Sequence, residues 1–162
     1  MEETRQVCSE CGAVWHEEQT CQDHFHHMLF WENENPRDGS DVHHLMVLCY
    51  HLQHPSLYSP QGLSAAMHLL ADFLEHGVTP EYVRRHYRAT VDSHTRRWNI
   101  KGTSASHGMY TPPIRWTMTA DQVIASGQES YGESVRTWAR SVYEALKTSG
   151  YFSLEEEEIP LQ

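Results

Sequence analysis

No run of about eighteen apolar residues interrupts the chain, so no segment reads as a helix able to cross a bilayer. The opening residues, MEETRQVCSECG, hold no apolar core behind a basic start, so they do not read as a secretory signal. Without export, the expected compartment is the reducing cytoplasm, where clustered cysteines hold metal more often than they form disulfides. Positive charge is scarce as well. A net charge of −10 argues against generic nucleic-acid binding, because a phosphate backbone attracts cationic surface. Sustained apolar–polar alternation and internal repeats are also missing, which removes sheet-based and solenoid architectures.

The 162 residues, with 39% apolar and 21% charged side chains, suffice for one domain with a true core. That domain is expected over residues 1–150, followed by an acidic, solvated tail over 151–162 that contains LEEEEIPLQ. Residues 1–19 carry no helical period and read as an irregular lobe. From Thr20 the apolar spacing turns helical, with Phe25, Met28, Leu29 and Trp31 facing inward. NENPRDGSD then reads as a break, with Ser40 or Asp41 capping the next helix, VHHLMVLCYHLQH, which ends against Pro55. LSAAMHLLADFLEHG is a third helix closed by Gly77, and TPEYVRRHYRATV a fourth opened by Thr79 and Pro80. Residues 99–118 hold Gly, Ser, Thr and Pro in a long irregular segment. TADQVIASG and ESVRTWARSVYEALKTSG add a short and a longer helix. The expected fold is all-α, with about six helices.

Residues 8–27, CSECGAVWHEEQTCQDHFHH, contain three of the four cysteines and four of the thirteen histidines. CSECG places two thiols two residues apart with a glycine to turn the backbone, a knuckle that lets both sulfurs reach one ion. A tetrahedral zinc needs two further ligands. Cys21 and His24 complete a set by local spacing. An antiparallel pairing of the first two helices instead brings Cys21, at the start of one, opposite His54, at the end of the other. The favoured set is Cys8, Cys11, Cys21 and His54, with His24 the rival for the fourth position. Zinc there staples the N-terminal lobe to the open end of the hairpin. A redox dithiol would need a strand before the motif and a helix directly after it, and neither is evident. Cys49, among Val47, Leu48 and Leu52, reads as core.

On the second helix His43, Val47, Tyr50 and His54 share a stripe, but His43 and His54 lie about 16 Å apart and cannot share an ion. The same pairing takes His43 to Trp31, Glu32 or His27, where a Glu–His pair is either a buried hydrogen bond or a general base held in one tautomer. Between Arg84 and Arg115 seven basic residues, including Arg85, Arg88, Arg96, Arg97 and Lys101, face one acid, Asp92. With Trp98, Tyr110 and Trp116 they flank the irregular segment, and they are either a solvated face or a site for negative charge. The candidate polar pocket is His43, Tyr50, Arg97 and Arg115.

CxECGA, Cys21 ahead of the first helix, VHHLMVLCYHLQHPSLYSPQGL, ADFLEHG and TADQV…VRTWARSVYEAL, in this order, resemble a family of short bacterial proteins known only as a domain of unknown function. The resemblance runs from Val7 to Lys147. It implies motif positions at Cys8, Cys11, Cys21, His43, Tyr50, Gln53 and His54. An apolar residue in relatives at the position of His24 favours His54 as fourth ligand. It implies no activity. The expected function is a small zinc-stabilised helical module that binds a protein or a small anionic ligand. The alternative is a metal-dependent or acid–base enzyme acting on an anionic small substrate, with residues 99–118 as a lid.

Overall fold

The computed structural model describes residues 6–16, 18–86 and 100–152. Arg88, Arg96, Arg97, Trp98 and the LEEEE run lie outside these, as does most of the expected tail. Among the described residues the fold is all-α, with six helices: α1 (Cys21–Glu34), α2 (Pro36–Gln53), α3 (Pro60–Glu75), α4 (Pro80–His86), α5 (Ala120–Ala125) and α6 (Tyr131–Thr148). The lobe expected to be wholly irregular contains a two-residue ribbon, β1 (Gln6–Val7) antiparallel to β2 (Val14–Trp15), with Val7 opposite Val14. Two residues per strand are too few to show as alternation. The pairing follows from the tight turn between Cys8 and Cys11.

The start of α1 is set by its side chains. Thr20 caps the helix by accepting from the Asp23 amide, and the Asp23 carboxylate accepts from the Thr20 amide in return. This reciprocal box satisfies two amides that the first turn leaves over. Met28 is fully buried and Trp31 nearly so, with Phe25 and Leu29 half-buried beside them.

The break expected over NENPRDGSD is a single residue. Asn35 alone separates the two helices, and α2 begins at Pro36 rather than at Ser40 or Asp41. Proline is preorganised for a first helical turn, where its missing N–H is no loss. Gly39, read as part of the break, is helical and buried for a packing reason: a Cβ there would lie 2.8 Å from Glu32 Cβ and 2.9 Å from Glu32 O. The glycine lets the helices cross backbone to backbone one turn after the bend.

α2 is the central helix, packed on α1, α3 and most extensively on α6. Val42, Met46, Cys49 and Leu52 of α2 and Val135, Trp138, Val142 and Leu146 of α6 are essentially inaccessible. α3 starts at Pro60 behind the Ser59 cap, three residues earlier than the sequence pattern suggests, and Gly77 follows it at φ +64°. On α4 Val83 is buried, whereas Tyr82 is 45% exposed.

Residues 100–119 are irregular as expected, yet they are bound to the body. The amides of Ser59, Gly102 and Gly108 donate to the carbonyls of Ile100, Leu57 and Tyr58, respectively. The Tyr110 hydroxyl donates to Leu52 O at 2.5 Å. Gln53, 1% exposed at the end of α2, donates to Met118 O at 2.7 Å and accepts from the Trp138 indole at 3.3 Å, tying this segment and α6 to α2. So pinned, the described part of the segment cannot open as a lid without breaking buried hydrogen bonds.

Candidate metal centre

The open end of the α1–α2 hairpin brings together four ligand atoms. Cys8 and Cys11 come from the turn of the ribbon, Cys21 from the first residue of α1, and His54 from the residue that ends α2. All four residues are buried, and the three sulfurs and the imidazole nitrogen lie within 4.8 Å of one another. Cys11 Sγ is 3.5 Å from Cys21 Sγ, and Cys8 Sγ is 3.6 Å from His54 Nε2. A tetrahedral ion about 2.3 Å from sulfur and about 2.0 Å from nitrogen spaces its ligand atoms by roughly 3.5–3.8 Å. The cluster could therefore hold a metal ion.

Each ligand is oriented by its own chain neighbourhood. Gly12, at φ +80°, turns the backbone so that its amide donates to Cys8 O at 2.9 Å, while the Cys8 amide donates to Ala13 O at 2.8 Å. The Cys11 amide donates to Cys8 Sγ at 3.5 Å, and the Trp15 indole donates to Cys21 Sγ at 3.2 Å. His54 Nδ1 is 2.6 Å from Tyr50 O, one helical turn back. That carbonyl can only accept, so Nδ1 carries the proton and Nε2 is left as a bare donor atom aimed at the sulfurs. Glu10 fixes the lobe from outside by accepting from the Ser56 amide at 3.0 Å.

Groups this close disturb one another's proton affinity. Hydrogen bonds from Cys11 and Cys21 hold the Cys8 thiol far below its usual range, against the opposing effect of burial. Cys11 is driven far up by its hydrogen bonds to the Cys21 and Cys8 sulfurs, which favour the protonated thiol, and by burial. Burial is the largest single influence on His54 and acts downward, but the Cys21 and Cys8 sulfurs and the Tyr50 carbonyl together push it up to about 10. A dication among the sulfurs would stabilise all the thiolates at once and free the imidazole of its extra proton.

The rival ligand, His24, is not in this group. It is buried on α1 with its pKa lowered by desolvation, against the pull of Asp121 on α5, and its Nδ1 has no hydrogen-bond partner among the described residues. The dithiol reading gains the strand it lacked, β1, but β2 rather than a helix follows the motif, and a third thiol lies beside Cys11. Cys49 is fully buried in the core, and burial pushes its thiol up.

Of the four residues of the candidate polar pocket, His43, Tyr50 and Arg115 lie among the described residues, each in a different setting. Tyr50 belongs to the metal cluster: its ring packs on His54 (centroids 4.4 Å apart) and on Phe25 (4.6 Å), and burial followed by the nearby sulfurs pushes its hydroxyl up to about 12. His43 sits near the closed end of the hairpin, with Nδ1 3.0 Å from Glu32 Oε1. Arg115 lines two grooves of about 770 and 710 Å³, one against the C-terminal half of α6 and one against the knuckle loop, and neither includes His43 or Tyr50. Arg97 lies outside the described residues. A residue that spacing alone undervalued is Gln53; a buried amide between a histidine and a leucine on a core helix is the signal that it has fixed partners.

A model of a family of unknown function (DUF5946) matches residues 6–147, and the chain belongs to that family. No curated protein and no solved structure matches it. Among the described residues no helix is long and apolar enough to cross a membrane.

Proposed function

We propose that this member of the family binds one zinc ion through Cys8, Cys11, Cys21 and His54, and that the ion is structural. The observation that carries the reading is the donor set, with four buried protein ligand atoms within 4.8 Å of one another and Nε2 of His54 freed for coordination by the Tyr50 carbonyl. Three thiolates and one imidazole suit zinc among biological cations, and four protein ligands make a structural rather than a catalytic site. The ion fastens the N-terminal lobe, which has little apolar surface of its own, to the free ends of α1 and α2. The assembled surface then serves as a binding module in a reducing compartment that keeps the thiols available.

The test is elemental analysis of the purified chain together with its intact mass. One equivalent of zinc per chain and a fully reduced mass are expected. Well under half an equivalent, or a mass two hydrogens light in freshly prepared protein, overturns the reading.

A further inference from the structure

A second buried polar cluster lies at the other end of the hairpin, and the metal reading makes no use of it. Glu32 of α1 is only 7% exposed, yet it carries a carboxylate. Oε1 is 3.0 Å from His43 Nδ1, and the same carboxylate lies beside the Tyr131 hydroxyl of α6. Tyr131 is 4% exposed, and burial, followed by the adjacent Glu32 charge, pushes its pKa well up. Trp31 closes the apolar side, edge-on to Tyr131 with centroids 5.8 Å apart. Gly39 lets the α2 backbone pass close to Glu32, where a Cβ would lie 2.8 Å from Glu32 Cβ.

Such an arrangement is expensive for a structural contact. Taking a carboxylate out of water costs several kcal/mol, and well-packed apolar residues commonly replace a buried ion pair without loss. What the arrangement does produce is a directed imidazole. With Nδ1 turned to the carboxylate, the opposite ring edge carries Nε2. The His43 side chain is 46% exposed, with the His44 ring beside it. A rigid buried carboxylate behind an accessible imidazole is the geometry of a general base held in one tautomer.

We propose that His43 and Glu32 form a proton-transfer site, separate from the metal cluster, in which His43 Nε2 takes a proton from a water or hydroxyl that then attacks an activated ester, with Glu32 as the positioning residue. In that step the O–H bond breaks and its proton passes to Nε2. The electron pair left on oxygen attacks the acyl carbon, and the bond from carbon to the leaving alkoxide breaks. The imidazolium is held by the Glu32 carboxylate until it returns its proton to solvent. The groups around the ring are Glu32 from α1 and His44 beside it on α2, with Tyr131 of α6 behind Glu32. His44 is itself kept low by burial, His43 and Arg84 of α4.

The zinc-loaded full chain and p-nitrophenyl acetate test the site. Wild type is expected to exceed His43→Gln by at least about tenfold, the low end of what a positioned base contributes. The surface variant His26→Gln should match wild type. Glu32→Gln should lose most of the rate and shift the midpoint of the pH profile downward, because the carboxylate holds the His43 pKa up; a merely structural role would not move that midpoint. Nitrogen-15 NMR of wild type supplies a reading independent of any variant's folding, with the Nδ1–H tautomer and a midpoint above about 6.5 expected. Equal rates in wild type and folded His43→Gln, an unshifted midpoint in folded Glu32→Gln, or an Nε2–H tautomer overturns the proposal. None of these outcomes bears on zinc stoichiometry.

Discussion

At the open end of the α1–α2 hairpin, Cys21 and His54 meet across two chain ends that nothing covalent joins nearby; at the closed end, Glu32 and His43 meet one turn or two from a covalent bend at Asn35. Both ends bury polar groups between the same two helices. The open end gathers three thiols and an imidazole drawn from chain positions up to 46 residues apart, a donor set that suits a cation. The closed end needs none, because Pro36 and Gly39 already bring the helices together. A polar cluster that holds a fold together is thus distinguishable from one that the fold merely carries: removing the first should cost the lobe, and removing the second should cost little stability.

The sharpest way to break this contrast is Cys11→Ser. With free zinc a thousandfold above its dissociation constant, binding adds about 4 kcal/mol. For a chain of this size, losing that lowers the melting temperature by about 10 °C. Calorimetry should show the drop, and wild type stripped by a chelator should show it too; a variant melting like wild type would remove the zinc from the fold's support. Next comes Gly39→Ala, which forces a Cβ to within 3 Å of Glu32 backbone and Cβ atoms. Overpacking of about 1–3 kcal/mol should exceed the gain of about 1 kcal/mol from replacing a helical glycine. A melting temperature equal to or above that of wild type would show that the helices can move apart freely.

Trp15→Phe removes the indole donor to Cys21 Sγ while keeping an aromatic ring over the ribbon. Chelator competition should show zinc affinity reduced about tenfold, with a much smaller change in melting than Cys11→Ser. The smallest effect concerns the closed end and pH. The Glu32 hydrogen bond raises the His43 pKa, opposed by burial. A raised folded value means that the pair's stabilisation is complete below the ordinary histidine value of about 6.5 and fades as pH climbs through the raised one. Because His43 is nearly half exposed, solvent screening keeps the contribution below about 1 kcal/mol. Melting curves at pH 6 and pH 8.5 should therefore differ slightly more for wild type than for His43→Gln, and an opposite sign would mean the imidazole is not the donor to Glu32.

Much of this molecule was legible before folding. The stop at Pro55, Gly77 after α3 and the helical spacing of Trp138, Val142, Tyr143 and Leu146 act within a few residues of themselves, so their local pattern suffices. The antiparallel pairing of α1 and α2 was legible too, since two helices joined so closely have little other choice, and it takes Cys21 to His54 and Glu32 to His43. Less legible were features whose cause lies across space. Gly39 has the composition of a loop, and only Glu32 on the neighbouring helix makes it a helical contact. In the same way, His43 and Tyr50 share a stripe of α2 but serve opposite ends of it, and Arg115 sits on a segment bonded to the turn after α2.

By itself, then, the sequence determined the helices, the knuckle of Cys8 and Cys11 and the composition of both polar clusters, because backbone preferences and periodicity act over a few residues. The tertiary structure alone decided which partner each polar group meets. His54 rather than His24 reaches the three sulfurs, Gln53 spans Met118 and Trp138, and Tyr131 lies behind Glu32. These choices depend on how helices far apart in the chain pack. Burial makes unpaired polar groups costly only after that packing has formed.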